Sequence, residues 1–425
     1  MNVADKAMKT SIVKWYLLIK KMNKWDNLKV INWQNENLKK LIIHFYENTV
    51  YYKKLFDEYG INPYKIASID DLKRIPPLTK KIILEHFDEL IPKNIEKIPF
   101  KNAATGGSTG DPLKFNLDLN SWSYTTASNI YSFELKGLHY GDKYVALGSS
   151  SLFPVSEKSR LHNLYYWLRK KLPMNGMNMS DEVMEKQISY IIKNKIKYIY
   201  GYASAIYLLA KYVKTNNLQI TLNACFPTSE ILADGYRKQI EEAFHCIIMD
   251  GYGARDGGIT ADELTPGFYH VGYNSIAEVV DCYAKNTGKL LVTDLLNYAF
   301  PFIRYEIGDE VTLVPDNVKF YNGQVISNVL GRESNVIHLE NGHNLTGPGF
   351  TILFKDLNVI AYRIYKTGNL KIKIDIQPGG KFSKEEEKTI YETMKKHAGN
   401  NCEVFIEYFE KFDTEKSGKR NYFLN

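Results

Sequence analysis

The sequence predicts an α/β protein: a large N-terminal α/β domain opened by a helical segment, followed by a small α+β domain at the C-terminal end. Three observations carry that expectation. Apolar residues recur at helical spacing through the first hundred residues, short apolar runs alternate with helical patterns from residue 101, and after Gly331-Arg332 the pattern resets to strand, strand, helix, strand. The division is therefore set at residues 1–331 and 332–425.

In chain order, Leu38, Leu41, Ile42, Phe45 and Tyr46 line one face of a helix. Ser68, ahead of Ile69-Asp70-Asp71-Leu72, offers a serine cap and an acidic first turn. Pro76-Pro77 interrupts the chain, and Thr79 is placed to cap a helix that begins at Lys80. Tyr144-Val145-Ala146-Leu147-Gly148 has the composition of a buried strand, and 196–200 that of a second, followed by a helix over 203–213. Further strands are expected at 246–249 and 289–293. In the C-terminal part, strands are expected at 361–365, 370–376 and 404–408. Between the last two lies a helix opened by Ser383-Lys384-Glu385-Glu386, the spacing of a capping box.

A chain of 425 residues with 44% hydrophobic and 13% aromatic content can bury a sizeable core, and no segment has the composition of a disordered tract. The 55 Lys and Arg against 48 Asp and Glu leave a net charge of +7. The basic clusters, such as Lys80-Lys81 and Arg169-Lys170-Lys171, are short and far apart, so no nucleic-acid partner is expected and the clusters are read as solvated surface. Cys225, Cys246, Cys282 and Cys402 form no CxxC pair, which points away from a disulfide framework or a zinc knuckle and towards the cytoplasm. No run approaches the roughly 20 apolar residues of a membrane span, so no membrane partner is expected. The histidines His139, His162, His270 and His343 stand apart from any nucleophile or metal-ligand spacing.

Four segments carry candidate chemistry. Thr105, Gly106, Gly107, Ser108, Thr109 and Gly110 form the densest glycine and hydroxyl cluster, suited to phosphate through backbone N–H groups and hydroxyls, or to a glycine-rich hairpin turn. It lacks the Lys-Ser/Thr of the nucleotide-binding P-loop. Tyr252-Gly253-Ala254-Arg255-Asp256-Gly257-Gly258 follows a strand, where ligands collect in α/β sheets, with Tyr252 able to face a purine and Asp256 able to hold Mg²⁺. A plain glycine-rich turn is the alternative. Phe302-Ile303-Arg304-Tyr305-Glu306-Ile307-Gly308-Asp309 puts a carboxylate beyond an expected strand end, suited to ribose hydroxyls or to an ordinary Gly-Asp turn. Arg332 at the domain boundary could add a ribose or phosphate contact, and Ser417-Gly418-Lys419 near the C-terminus reads by itself as surface.

Taken in this order, the segments resemble the acyl-adenylate-forming superfamily, and within it the phenylacetate-CoA ligase branch that includes capsular-polysaccharide-biosynthesis homologues. The likeness extends over nearly the whole chain, since Tyr51-Tyr52-Lys53, Ser68-Ile69-Asp70-Asp71-Leu72 and Pro76-Pro77-Leu78-Thr79-Lys80 resemble that branch's opening. It implies ATP as a substrate, with residues 105–110 on the β- and γ-phosphates and Ser229, Glu230, Tyr252 and Gly253 around the adenine. It also implies Asp309 on the ribose assisted by Arg332, and Lys419 as the catalytic lysine that stabilises charge as acyl-AMP forms. The small domain would be mobile and would rotate after adenylation about a hinge at Ser334 and Asn335, where relatives often carry Asp. Asp256 stands where the family usually has Glu as the Mg²⁺ ligand, a shorter reach with the same charge. Some relatives carry zinc bound by a Cys after the Tyr-Gly loop, but this chain has Asp262-Glu263-Leu264, so no zinc is expected.

The implied activity is ATP-dependent activation of a carboxylic acid followed by acyl transfer to coenzyme A or a carrier-protein pantetheine. The implied acid is aryl or otherwise compact and apolar, because Tyr200-Gly201-Tyr202 and the helix after them resemble the acyl-pocket wall, although core packing explains the same residues. The competing reading is a catalytically retired homologue that binds nucleotide or serves as an assembly partner in a polysaccharide or natural-product pathway. Phosphoryl transfer is disfavoured by the missing Lys-Ser/Thr.

Overall fold

The computed structural model describes residues 5–6, 8–104, 113–148, 170–176, 179, 181–232, 234–315, 322–332, 336–339, 344–346, 357–410 and 423–424. Helices α1 (Ile12–Met22), α2 (Asn27–Asn48) and α3 (Val50–Glu58) open the chain. Asp26 caps α2 by accepting from the Lys29 N–H at 2.7 Å. One face of α2 buries Val30, Gln34, Leu38, Leu41, Ile42 and Phe45; the expected stripe of Leu38, Leu41, Ile42 and Phe45 is buried, Tyr46 is only partly buried, and the face extends back to Val30. Gln34 is polar yet buried because its Nε2 donates to the carbonyls of Tyr273 and Ser275, both at 3.1 Å, which docks α2 on the sheet.

Thr79 caps α4 (Lys80–Glu85) as expected, with its hydroxyl accepting from the Ile82 N–H at 3.2 Å. α5 (Phe87–Leu90) follows. The Ser68 segment makes a 3-10 turn over Asp70–Arg74 instead of an α-helix. The reciprocal Ser68 and Asp71 bonds are present, but Pro76 and Pro77 lie too close downstream for a further α-turn.

Strands β1 (Phe100–Ala104) and β2 (Lys114–Asp118) pair antiparallel on either side of the glycine and hydroxyl segment. After them come α6 (Leu119–Leu135), β3 (Tyr144–Gly148), β4 (Lys171–Asn175), α7 (Asp181–Lys193), β5 (Tyr198–Tyr202), α8 (Ala203–Thr215), β6 (Ala224–Thr228) and α9 (Asp234–Phe244). The strand expected at 196–200 begins two residues later, because Lys195 takes φ +52° and Ile196 N–H closes back on Ile191 O to end α7. Only β7 (Ile247–Ile248) forms from the run at 246–249.

Next come β8 (Gly251–Gly253), β9 (Thr260–Thr265), β10 (Phe268–Val271), β11 (Ser275–Ala284), β12 (Thr287–Asp294), β13 (Tyr305–Leu313) and β14 (Val325–Arg332). Among the described residues, one 12-stranded sheet runs β11-β12-β13-β14-β10-β9-β8-β6-β5-β3-β4, with β7 beside β6. The part from β4 through β3, β5 and β6 to β8 is parallel, and from β8 onward every neighbour is antiparallel. The three-residue strand β8 is thus the seam between the two halves.

The C-terminal part contributes the pair β15 (Val336–His338) and β16 (Asn344–Thr346), then β17 (Val359–Gly368), β18 (Lys371–Pro378), α10 (Lys384–Ala398), β19 (Glu403–Tyr408) and β20 (Phe423–Leu424). Its main sheet has the order β19-β18-β17-β20. The capping box at Ser383 and Glu386 is formed in both directions. Ile364, Ile372, Ile374, Ile376, Ile390 and Met394 make a core of their own, which agrees with a separate small unit.

Candidate active site

Tyr252 lies at the centre of β8, with Thr228 of β6 paired to Gly251 on one side and Ala261 of β9 opposite Tyr252 on the other. Ser229 and Glu230 leave the carboxyl end of β6 at the same level. Both segments therefore lie where the sheet changes from parallel to antiparallel, the edge at which α/β sheets hold ligands. Ser229 has φ +66°, a left-handed conformation unusual for a non-glycine residue, and this turns the chain sharply out of the sheet. Glu230 accepts from the Ser204 N–H at 2.8 Å and so satisfies the first turn of α8, which has no side-chain cap from Tyr202.

The Tyr252 hydroxyl donates to Asp309 Oδ2 at 2.7 Å. This joins the residue expected at the adenine to the residue expected at the ribose. Asp309 is also the register partner of Arg332 across β13 and β14. The sequence expectation of Asp309 beyond a strand end is corrected: it sits inside β13. Gly308, at φ +84°, and the register shift between Lys289 and Leu291 on the neighbouring β12 permit an irregular ladder at that point.

Asp256 accepts from the Tyr305 hydroxyl at 3.2 Å, so a side chain given no role at the sequence level holds the metal candidate. Beyond it, Gly257 and Gly258 take φ +84° and +65°. A Cβ on Gly258 would lie 2.1 Å from Asp294 Oδ2, so glycine there satisfies both the turn and the close approach to a buried carboxyl. Asp294 also accepts from the Ser121 hydroxyl at 2.8 Å, and burial pushes its carboxyl up to about 7.

Behind β8 lies a buried ionic cluster. Arg237 grips both Glu263 oxygens at 2.7 and 2.6 Å, and the Tyr269 hydroxyl donates to Asp250 Oδ2 at 2.7 Å. Burial raises the Asp250 carboxyl to about 7, against the lowering effect of the Tyr269 bond. Asp250 is the residue immediately before β8, so this cluster backs the strand that presents Tyr252. The two carboxylates found where a zinc-binding Cys might have stood are engaged elsewhere: Glu263 with Arg237, and Asp262 with the Ser132 hydroxyl at 2.5 Å. Among the described residues, no group of three His, Cys, Asp or Glu is arranged to hold a metal ion.

The expected acyl-pocket helix α8 is mostly core. Tyr202, Ala205, Ile206, Leu209, Ala210 and Val213 are buried with Ile188, Ile240 and Phe244. Tyr200 is half-buried beside Phe133, at 5.3 Å between ring centres. A Cβ on Gly201 would fall 2.0 Å from the Leu147 carbonyl, so glycine is what lets β5 lie against β3. Thr105, Gly106, Gly107, Ser108, Thr109, Gly110, Ser334, Asn335 and Lys419 lie outside the described residues, and of Arg332 only the backbone is described.

No family model matches the chain. Protein CapK of Staphylococcus aureus is 24% identical over 421 residues, covering 97% of this chain and 92% of that protein. A phenylacetate-coenzyme A ligase of Aromatoleum evansii is 22% identical over 418 residues, covering 90% and 88%. The chain is similar to these proteins over nearly its whole length, which supports the resemblance to the phenylacetate-coenzyme A ligase branch of the acyl-adenylate-forming superfamily. In fold it is similar to a 2-hydroxyisobutyryl-CoA ligase solved in the postadenylation state with R3-HIB-AMP, at a TM-score of 0.71 and 15% identity over 92% of this chain and 88% of that one. An anthranilate CoA ligase, AuaEII, solved with anthranoyl-AMP gives a TM-score of 0.54 at 16% identity over 75% and 65%. The branch relationship and the large-sheet fold thus agree with the sequence reading.

Proposed function

We propose that the chain activates a carboxylic acid with ATP as an acyl-AMP and then transfers the acyl group to the thiol of coenzyme A or a carrier-protein pantetheine. The observation that carries the reading is the 2.7 Å bond from Tyr252 to Asp309, with Arg332 opposite Asp309 in register, at the seam of the sheet. That geometry suits a nucleoside: an aromatic face beside a carboxylate that can accept from ribose hydroxyls. The relatives named for coenzyme A ligation give the reading its reaction class.

In this reading a carboxylate oxygen of the acid attacks the α-phosphorus of ATP. The bond from that phosphorus to the bridging oxygen breaks, and pyrophosphate leaves with the electron pair. Residues 105–110 hold the phosphates, and Lys419 stabilises charge between the carboxylate and the α-phosphate. Asp256 is the carboxylate that would hold Mg²⁺, and one carboxylate beside substrate phosphates suffices for that ion, which supplies charge neutralisation. Residues 332–425 act as a lid that turns about Ser334 and Asn335 and withdraws Lys419 before the thiol enters. The acid is aryl or compact and apolar. Among the described residues no helix is long and apolar enough to cross a membrane, and Cys225, Cys246, Cys282 and Cys402 are free thiols, which fits work in the cytoplasm.

The test is acid-dependent pyrophosphate release from ATP across aryl, short-chain, fatty and amino acids, with Lys419→Ala as control. Release with one acid class that collapses in the variant supports the reading. ATP binding without release for any acid would move the assignment to a retired nucleotide-binding homologue.

A further inference from the structure

The seam of the large sheet is thinly held by backbone at the level of Tyr252, and a buried side-chain bridge crosses it. Pairing between β6 and β8 ends at Thr228 and Gly251, so among the described residues Tyr252 has no register partner on the β6 side, whereas β8 is joined to β9 through three register pairs. Tyr252 packs with Ile259, Ala261 and Val292 in the core of the antiparallel half. Helix α9 belongs to the other half, where Ile240 and Phe244 are buried with Ile206, Leu209 and Cys225. Ser229 and Glu230 are fixed to that half too, since they extend β6 and Glu230 accepts from the Ser204 N–H of α8. From α9, Arg237 Nη2 reaches over the seam and donates to both oxygens of Glu263 on β9, at 2.7 and 2.6 Å. The Glu263 side chain is 3% exposed and that of Arg237 is 20% exposed. Glu263 in turn gathers the antiparallel half around it. Its oxygens accept from the Gly267 N–H at 2.7 Å and the Asp250 N–H at 3.3 Å, and its own N–H donates to the Asp250 carbonyl at 2.9 Å. It stands two positions from Ala261, the register partner of Tyr252, and so on the same face of the sheet as Tyr252.

We propose that Arg237 and Glu263 are positioning residues: their bridge sets the spacing between Ser229-Glu230 on the parallel half and Tyr252 on the antiparallel half, and through it the preference for a purine base. The inference rests on the adenylation reading, in which the base lies between those two segments. A flat ring gains from an aromatic neighbour only at a defined separation and tilt. A continuing ladder would fix that separation through backbone bonds, but here the ladder to β6 stops one residue before Tyr252. A side-chain tie has to take over. Apolar contact is non-directional and lets two surfaces slide. A guanidinium that grips both oxygens of a buried carboxylate resists stretching, because separation would leave two desolvated charges without partners. Arg237 and Glu263 act on the nucleotide through β8, which Glu263 holds at Asp250, and not by touching it.

Calorimetric titration of the full chain with ATP, AMP and CTP, beside thermal melts, tests this in the wild type, Arg237→Lys, Arg237→Met and the double variant Arg237→Met/Glu263→Gln. Arg237→Met alone strands a buried carboxylate and lowers the melting temperature, whereas the double variant removes that charge and its glutamine still accepts from the Gly267 N–H. The expected result in the double variant is a melt close to wild type, ATP and AMP affinities lower by about tenfold, CTP affinity changed by less than about twofold, and partial recovery of ATP affinity in Arg237→Lys. If the double variant melts far below wild type, Arg237→Lys, which keeps the charge but not the planar fork, carries the same comparison. Unchanged ATP affinity in the folded variant overturns the positioning role and leaves the nucleotide reading intact. Equal losses for ATP and CTP also overturn it, by marking a general structural role. A wild type that binds ATP no more tightly than CTP overturns the proposed base preference. One that binds no nucleotide overturns the adenylation reading itself, and this inference with it.

Discussion

Replacing Arg304 by methionine should cost the fold about 3–5 kcal/mol, the loss expected when one partner of a buried ion pair is removed. The Arg304 side chain is 8% exposed, and its Nε donates to Glu278 Oε2 at 3.0 Å, whose side chain is 10% exposed. Its Nη1 donates to the Ile75 carbonyl at 2.5 Å and approaches the Lys73 carbonyl at 3.4 Å. Its own carbonyl accepts from the Leu78 N–H at 3.0 Å. Arg304 thus ties the segment before α4 to β13, which carries Asp309 five residues on. Methionine keeps the side-chain length and takes the same φ of +50°, so the comparison isolates the guanidinium. Burial raises the Glu278 pKa and Arg304 draws it back down, so removing the arginine leaves a carboxyl that folds most easily when protonated. The variant's deficit should therefore grow as pH rises from 5 to 8. Urea denaturation followed by tryptophan fluorescence, with Glu278→Gln and the double variant, measures both the deficit and the coupling. A deficit below about 1 kcal/mol that does not change with pH would refute the argument.

Three further outcomes follow from the site. Tyr252→Phe removes a hydrogen bond to a carboxylate, so ATP affinity by calorimetry should fall about tenfold or more; unchanged affinity would separate the Tyr252–Asp309 bond from nucleotide binding. Gly258→Ala combines a φ of +65° with a Cβ 2.1 Å from Asp294, and should lower stability by more than about 2 kcal/mol in a melt; a loss under about 0.5 kcal/mol would contradict the close approach. Asp250 and Asp294 both have folded-state pKa values raised to about 7, so the folded protein keeps protons that the unfolded chain releases near pH 4. Stability should fall across that window, by about 1.4 kcal/mol per group between pH 6 and 8, with His44, whose pKa burial lowers, offsetting less than about 1 kcal/mol. Denaturation midpoints that rise from pH 6 to 8 would contradict it.

Local rules made much of the molecule legible. The α2 stripe, the Thr79 cap, the strand at 144–148 and the Ser383 capping box depend on neighbours within a few residues, and each formed as its spacing implied. The candidate site was legible only as a set of motifs, since Tyr252, Asp256 and Asp309 are candidates by residue type and position in the sequence. Their relationships were not legible. Tyr252 and Asp309 are 57 positions apart, and only the closing of β8 against β9 and of β13 against β14 brings a phenol onto a carboxylate. Tyr305 as the partner of Asp256 was missed for the same reason, because a lone tyrosine in sequence looks like core.

The sequence by itself determined the element types, the order of the two units and the glycine and aromatic motifs, because backbone preference and hydrophobic period act over a few residues. Tertiary structure alone decided that a three-residue strand is the seam of the sheet, that Asp309 lies within a strand, and that α8 serves mainly as core. Those outcomes depend on pairing and burial between distant segments, whose energies are fixed only when the whole sheet has formed.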